Sequence, residues 1–228
     1  MDIRFLGHAC FELSDGDTRV LVDPFLAPNN PAAPVSADDV EPTHILLTHA
    51  HIDHAADAVG LAKRTGAHCV AIVEFANWLG EQGIEAVSDP NLGGTVEFEW
   101  GWVKLVQALH TNTIQMDGTV VGMPAGLVIN IGGTTVYHLG DTCLFSDLKL
   151  IAERTPVDVA LIPIGGHYTM DRADAVVAAG FVGADTVIPI HYNTFPPIQT
   201  DAEAFKSEVE STTSSKVVIL EPGATHSV

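Results

Sequence analysis

Residues 48–54 read "THAHIDH", which puts His49, His51, Asp53 and His54 within six positions of a chain that has 11 histidines among 228 residues. So dense a group has no packing use, and protonated rings this close would repel one another. It does suit divalent cations. Neutral imidazole and carboxylate are ligands for Zn, Mn, Fe or Ni, and the lack of a thiolate argues against a purely structural zinc site. At the end of a strand, His49 and His51 lie two positions apart and point the same way. The chain then bends into a helix, where the adjacent Asp53 and His54 face different directions. The block can therefore serve two ions, one at His49 and His51 and the other at Asp53 and His54. Two ions want further ligands. His110 closes "KLVQALH", Asp141 closes "TTVYHLGD" and His191 closes "TVIPIH". Each is a good ligand type at a strand terminus, and an Asp between two ions can bridge them.

The chemistry expected of such a pair is hydrolysis. Two ions roughly 3.5–4 Å apart can share a water whose pKa falls from about 15.7 toward 7. The resulting metal-bridging hydroxide would attack a carbonyl carbon or a phosphorus. Asp53 or Asp141 would act catalytically by orienting the nucleophile and accepting its proton.

Such side chains must be held by rigid elements. "IRFLGHACFEL" and "TRVLVDPFL" flank "SDGD" as two strands and a turn. Residues 27–42 hold four prolines and read as a loop. "THILLTH" is a short buried strand. "AADAVGLAKRTG" has helical composition and ends at Gly66, a C-cap. "HCVAIV" reads as strand and "EFANWLGEQG" as helix. Hairpins are expected around Gly101 and at the glycine pair 132–133, where positive φ is tolerated. From residue 144 onward helix and strand alternate: "LFSDLKLIAER", "VDVALIPI", "RADAVVAAGFVG", "DTVIPIH", "AEAFKSEVES", "KVVIL". The chain thus reads as hairpin-rich first and alternating α and β last, with no linker and no tandem repeat. Three apolar strands run into loops that carry His49, His167 and His191, and α/β sheets gather their sites at carboxyl ends of strands.

The length suits one large α/β domain, or at most two small ones. With 29 acids against 10 bases the formal charge is −19. Such a field repels phosphate backbones, so nucleic acid is an unlikely partner. Anionic membrane surfaces are disfavoured for the same reason, and a small molecule is the expected substrate. No apolar run reaches the roughly 18 residues of a membrane span, and "MDIRFLGHAC" lacks the pattern of a signal peptide. Cys10, Cys69 and Cys143 form no pairing framework, so reduced thiols and a cytoplasmic location are expected.

Other residues carry competing readings. His167 follows a strand and the glycines of "GGHYTMD", which let backbone approach a ligand, so it is a candidate substrate contact. Asp171 is a candidate N-cap of the next helix. Arg172 is the base nearest the motifs that could meet an anionic substrate. His226 reads as a solvated tail, His44, His68 and His138 as structural. Cys143 reads as a small packed residue near the site, and Val176, Val177 and Phe181 as core. Loops 26–43, 111–125 and 192–200 are expected to shape the pocket.

"THAHIDH", "ALHTN", "GDT" and "PIHYNTFP", with "LGHACFEL", "VDPF" and "GGHYTMD", resemble the metallo-β-lactamase superfamily over nearly the whole chain. The last three are similar to a bacterial and archaeal branch of metal-dependent hydrolases akin to L-ascorbate-6-phosphate lactonase. The resemblance implies one α/β domain over residues 1–228, a four-layer αββα sandwich of two mixed sheets flanked by helices. It implies two divalent ions, zinc first among them. His49, His51 and His110 would hold one, and Asp53, His54 and His191 the other, with Asp141 bridging. It brings His8 to the site as a second substrate contact and favours association into a homo-oligomer. The third position of the cluster is His51 rather than the Glu of flavodiiron relatives, which fits hydrolysis of a small ester, lactone or phosphoester. A ribonuclease-Z-like phosphodiesterase and a mono-iron redox enzyme of the same fold are the alternatives.

Overall fold

Apolar residues alternate along most of the strands, and two sheets result that share one interior. The computed structural model describes residues 1–114 and 118–228. Part of the expected 111–125 loop, residues 115–117, lies outside the described residues.

The first half supplies β1 (Asp2–Phe5), β2 (Phe11–Asp15), β3 (Thr18–Val22), β4 (His44–Leu46), β5 (His68–Val70) and β6 (Val87–Ser88). The second supplies β7 (Thr95–Phe98), β8 (Gly101–Gln107), a ribbon of β9 (Thr113–Ile114) and β10 (Thr119–Val120), then β11 (Ala125–Ile131), β12 (Thr134–His138), β13 (Val159–Pro163), β14 (Thr186–Ile190) and β15 (Lys216–Val217). A last strand, β16 (Thr225–Ser227), returns to the first sheet beside β1. The seven-stranded sheets run β16-β1-β2-β3-β4-β5-β6 and β15-β14-β13-β12-β11-β8-β7. Each is mixed: β1–β3 and β7, β8, β11, β12 pair antiparallel, while β3–β6 and β12–β15 pair parallel.

The helices are α1 (Ile52–Ala55), α2 (Ala58–Thr65), α3 (Val73–Glu81), α4 (Leu148–Arg154), α5 (Arg172–Val182) and α6 (Ala202–Thr212). Leu61, Phe75 and Leu79 of α2 and α3 join the same core as Leu46 and Val70 of the first sheet. Val159 and Leu161 of β13 face that inter-sheet core, while Ala160 and Ile162 face Ala178, Phe205 and Val209 of α5 and α6. The period of two along the strand puts alternate residues on opposite faces, and the layers are helix, sheet, sheet, helix.

The division into a hairpin half and an α/β half does not hold. β3 to β6 are parallel, with α1 and α2 between β4 and β5 and α3 between β5 and β6, so both halves begin with antiparallel strands and end with parallel ones. β4, β5 and β6 have two or three residues each, and the apolar runs that mark β4 and β5 do not say whether those strands pair parallel or antiparallel.

Gly66 caps α2 at φ 72°. Gly101 at φ 146° and the pair Gly132 and Gly133 at 59° and 85° make the two hairpin turns. The Asp171 side chain accepts from Asp174 N at 2.9 Å, the N-cap of α5. Asp171→Ala should destabilise the fold by about 1 kcal/mol, read as a melting temperature lower by about 2–4 °C.

One assignment to core and one to a solvated tail change. Val177 is 44% exposed; the buried stripe of α5 is Ala175, Ala178, Ala179 and Val182, with Val176 and Phe181 only partly covered. The helix is apolar nearly all round, so the sequence could not fix its rotation. His226 is no free tail: it sits in β16 opposite Ile3. Among the described residues no helix is long and apolar enough to cross a membrane.

Candidate metal centre

β4 ends at Leu46, so His49 and His51 sit in the following loop rather than on the strand. They still converge, with His49 Nε2 and His51 Nδ1 3.0 Å apart. His51 is the N-cap of α1, whose first turn carries Asp53 and His54. His110, Asp141 and His191 lie just beyond β8, β12 and β14. His8 comes from the turn between β1 and β2. The loops are laced together: His191 N donates to His8 O at 2.8 Å, Leu109 N to Thr142 Oγ1 at 3.0 Å, and Ala50 N to the buried Asn112 Oδ1 at 2.9 Å.

Asp141 is the hub. Its Oδ2 lies 3.2 Å from His191 Nε2, 3.6 Å from His110 Nε2 and 3.9 Å from His49 Nε2, and its Oδ1 lies 3.3 Å from His54 Nε2. Asp53 Oδ2 is 3.2 Å from His8 Nε2 and 3.6 Å from His191 Nε2. Two groups have donor atoms close enough to share an ion: His49, His51 and His110, and His8, Asp53, His54 and His191.

A third such group, Asp23, His49 and His54, is of another kind. The buried Asp23 accepts from Thr48 N at 2.8 Å, Thr48 Oγ1 at 2.6 Å and His54 Nδ1 at 2.8 Å. Because the Thr48 hydroxyl donates to Asp23, it accepts from His49 Nδ1 at 2.9 Å. One carboxylate thus sets the tautomer of two histidines and leaves both Nε2 lone pairs facing Asp141, as outer partners of metal-binding histidines do. Sequence reasoning gave Asp23 no role, although it ends an apolar strand in "VDPF", the same strand-end signal that marked Asp141.

Charge is strongly organised. Burial disfavours the charged form of His54, yet Asp141 and Asp23 together push its pKa well above the ordinary value. Burial and the neighbouring His54 hold His49 well below. His191 rises to about 9, because Asp141 and Asp53 outweigh its burial. Burial would raise both acids, but the nearby His191 ring and the hydrogen bond from His8 hold Asp53 far below the carboxylate range, and the charges of His191 and His54 do the same for Asp141. Burial and His191 lower His8 to about 4, so it stays neutral and donates through Nε2.

Among the described residues, His54 Nε2, Asp141 Oδ1 and both ring nitrogens of His191 are buried and find no hydrogen-bond partner. Such orphans cost about 1–3 kcal/mol each unless something claims them. All are nitrogen or oxygen donors of the kind that divalent first-row metals take, so the donor set fits metal.

His8, Asp23 and His191 have φ of 61°, 47° and 54°. Left-handed backbone at side chains other than glycine gathers at functional sites. Gly165 gives His191 room: a Cβ there would strike the His191 carbonyl and come within 2.9 Å of Ile198 Cβ. Gly165→Ala should cost about 1–3 kcal/mol by overpacking, measured by denaturant titration.

A cavity of about 490 Å³ opens over His51, Asp53, His110 and Asp141. Its walls are Phe25, Ile52, Thr111, Tyr168, Phe195 and Pro197. The 192–200 loop contributes as expected, but 26–43 does not line the cavity, and the 165–171 turn does so through Tyr168. His167 is exposed, packs edge-on against Tyr168 with ring centroids 4.5 Å apart, and does not line the cavity. Its φ is 50°, and the next side chain in the turn, Tyr168, is the one that lines the cavity. Cys143 is exposed rather than packed. Arg172 Nε donates to Glu208 at 3.1 Å and does not reach the cavity.

Residues 2–191 match the family model described as beta-lactamase superfamily domain. A UPF0173 metal-dependent hydrolase of Symbiobacterium thermophilum is 44% identical over 231 residues, covering all of both chains. One from Thermus thermophilus is 47% identical over 205 residues, covering 90% of this chain and 89% of the relative. Among solved structures, Igni18, a metallo hydrolase from the archaeon Ignicoccus hospitalis, superposes with a TM-score of 0.89 at 35% identity, over 99% of this chain and 97% of that one. With its paired mixed sheets, flanking helices and His/Asp cluster, the chain belongs to the beta-lactamase superfamily and has the metallo-β-lactamase fold, within the group of UPF0173 metal-dependent hydrolases.

Proposed function

We propose that the chain is a dinuclear metal-dependent hydrolase of a small-molecule ester, lactone or phosphoester. The buried histidine and aspartate atoms around Asp141 that find no hydrogen-bond partner among the described residues carry this reading. His49, His51 and His110 would hold one ion, Asp53, His54 and His191 the other, and Asp141 would stand between them. Zinc suits the donor set first, with Mn, Fe and Ni as other fits. Bound there, the ions would lower the pKa of water and polarise the oxygen of the group being cleaved.

The chain's own side chains do the rest. Asp53 stays ionised, and its Oδ2 faces the cavity beside His8 and His191, where it can take the proton of the attacking water. Neutral His8, held by Thr194 Oγ1 at 2.9 Å, fixes that carboxylate. Asp23 and Thr48 keep the His54 and His49 rings in the ligating tautomer. Phe25, Phe195 and Tyr168 line the cavity with aromatic rings.

No cationic side chain lines the cavity, which favours a small molecule over RNA for the same centre. Three unpaired cysteines support a cytoplasmic setting, and a homo-oligomer remains part of this proposal.

Metal analysis of the purified chain should give close to two equivalents. A panel of lactones, thioesters and phosphodiesters, run with Zn-, Mn- and Fe-reconstituted protein, should show turnover that chelation abolishes and zinc restores. Full turnover with a single iron and an oxidised product would replace the hydrolytic reading with the redox one.

A further inference from the structure

We propose that the cavity selects uncharged substrates carrying an alkyl or aryl group, and discriminates against substrates with an anionic group away from the reacting bond. The inference rests on the hydrolase reading and narrows its substrate class. It is carried by what surrounds the His and Asp floor of the cavity. Phe25, Ile52, Phe195 and Pro197 are apolar, and Tyr168 presents an aromatic ring with a polar tip. Ile52 and Tyr168 are 46% and 55% exposed, large side chains left at the mouth with apolar surface still to be covered.

The absence of a counter-charge is firm, because all ten Lys and Arg of the chain lie among the described residues. None lines this cavity. Arg172, four positions from Tyr168, is turned to Glu208. Arg4 faces Glu12, Arg64 faces Glu41 and Lys149 faces Glu153. A second anionic group on the substrate would lose its hydration against aromatic walls with no partner in return, in the field of a chain of net charge −19. An alkyl or aryl group there would gain by leaving water.

The test uses two esters with the same scissile bond and leaving group, 4-nitrophenyl hexanoate and the mono-4-nitrophenyl ester of adipic acid, on zinc-loaded protein. Each rate is divided by its uncatalysed rate. The neutral ester should lead in kcat/KM by about tenfold or more, mainly through KM. In parallel, hexananilide and adipic monoanilide, whose amide is inert by comparison, are compared by calorimetry, and the neutral one should bind about tenfold tighter or better. Tyr168→Arg, at an exposed position that tolerates the change, should reverse or erase the preference in both assays.

Equal or better turnover of the adipate ester overturns the proposal and leaves the hydrolase reading standing. So do anilides that bind equally or not at all. Selective binding of hexananilide with neither ester cleaved supports the selectivity and removes the hydrolase reading instead.

Discussion

Asp141→Asn should lower kcat/KM by about 10³-fold, the equivalent of several kcal/mol of lost charge stabilisation, and should reduce bound metal by about one equivalent. The replacement keeps the shape of the side chain but turns one oxygen into an N–H donor. Asp141 puts one oxygen near His54 and the other near His49, His110 and His191. An amide there aims hydrogens at ring nitrogens whose lone pairs already face inward, so at least one face of the centre loses its ligand. Asp141 also raises the pKa of His54 and His191, so the metal-free variant should titrate those rings closer to their ordinary range in NMR. Metal content and turnover equal to wild type would remove Asp141 from the centre and with it the two-ion scheme.

Asp23→Ala should act on both stability and metal. Its carboxylate is fully buried and accepts from Thr48 N, Thr48 Oγ1 and His54 Nδ1. Removing it strands three buried donors, one of them on a ring whose charged form the acid favours. Breaking such a buried pair costs about 3–5 kcal/mol, or a fall in melting temperature of roughly 10 °C for a chain of this length. Asp23→Asn, which keeps an acceptor for Thr48, should melt closer to wild type and still bind zinc about 10–100-fold more weakly, as loss of an outer partner does. If the Asn variant holds metal as tightly as wild type, the tautomer of His54 does not depend on Asp23.

The two acids differ in how far the sequence revealed them. Asp141 stands at a strand end beside other candidate ligands and was legible as one of them. Asp23 stands at a strand end too, but its partners, Thr48 and His54, are 25 and 31 positions away, and hydrogen bonding at that range leaves no local period. Tyr168 was missed by a single residue. "GGHYTMD" pointed to a contact in that turn, yet nothing local says which of two adjacent side chains lines the cavity, and a glycine-rich turn gives no periodicity to read. Val177 failed for the opposite reason: every face of α5 was apolar enough, and contact with the second sheet selected the alanine stripe. β4 and β5 were legible as apolar runs and β6, at two residues, was not; none of them carried a sign of parallel pairing, so the likeness between the two halves emerged only from strand pairing.

The residues alone determined which groups could bind metal, that strand ends would present them, and that strong negative charge argues against polyanionic partners. Those properties reside in side-chain chemistry and in periods of two and 3.6, which are local. The tertiary structure decided the rest: that Asp141 lies among four imidazoles, that Asp23 and Thr48 turn two of those rings, and that aromatic walls without a Lys or Arg line the cavity above them. Each depends on two sheets packing face to face. That packing brings loops distant in sequence to within hydrogen-bond reach, and the free energy that selects it is shared across the whole core rather than held in any one stretch of chain.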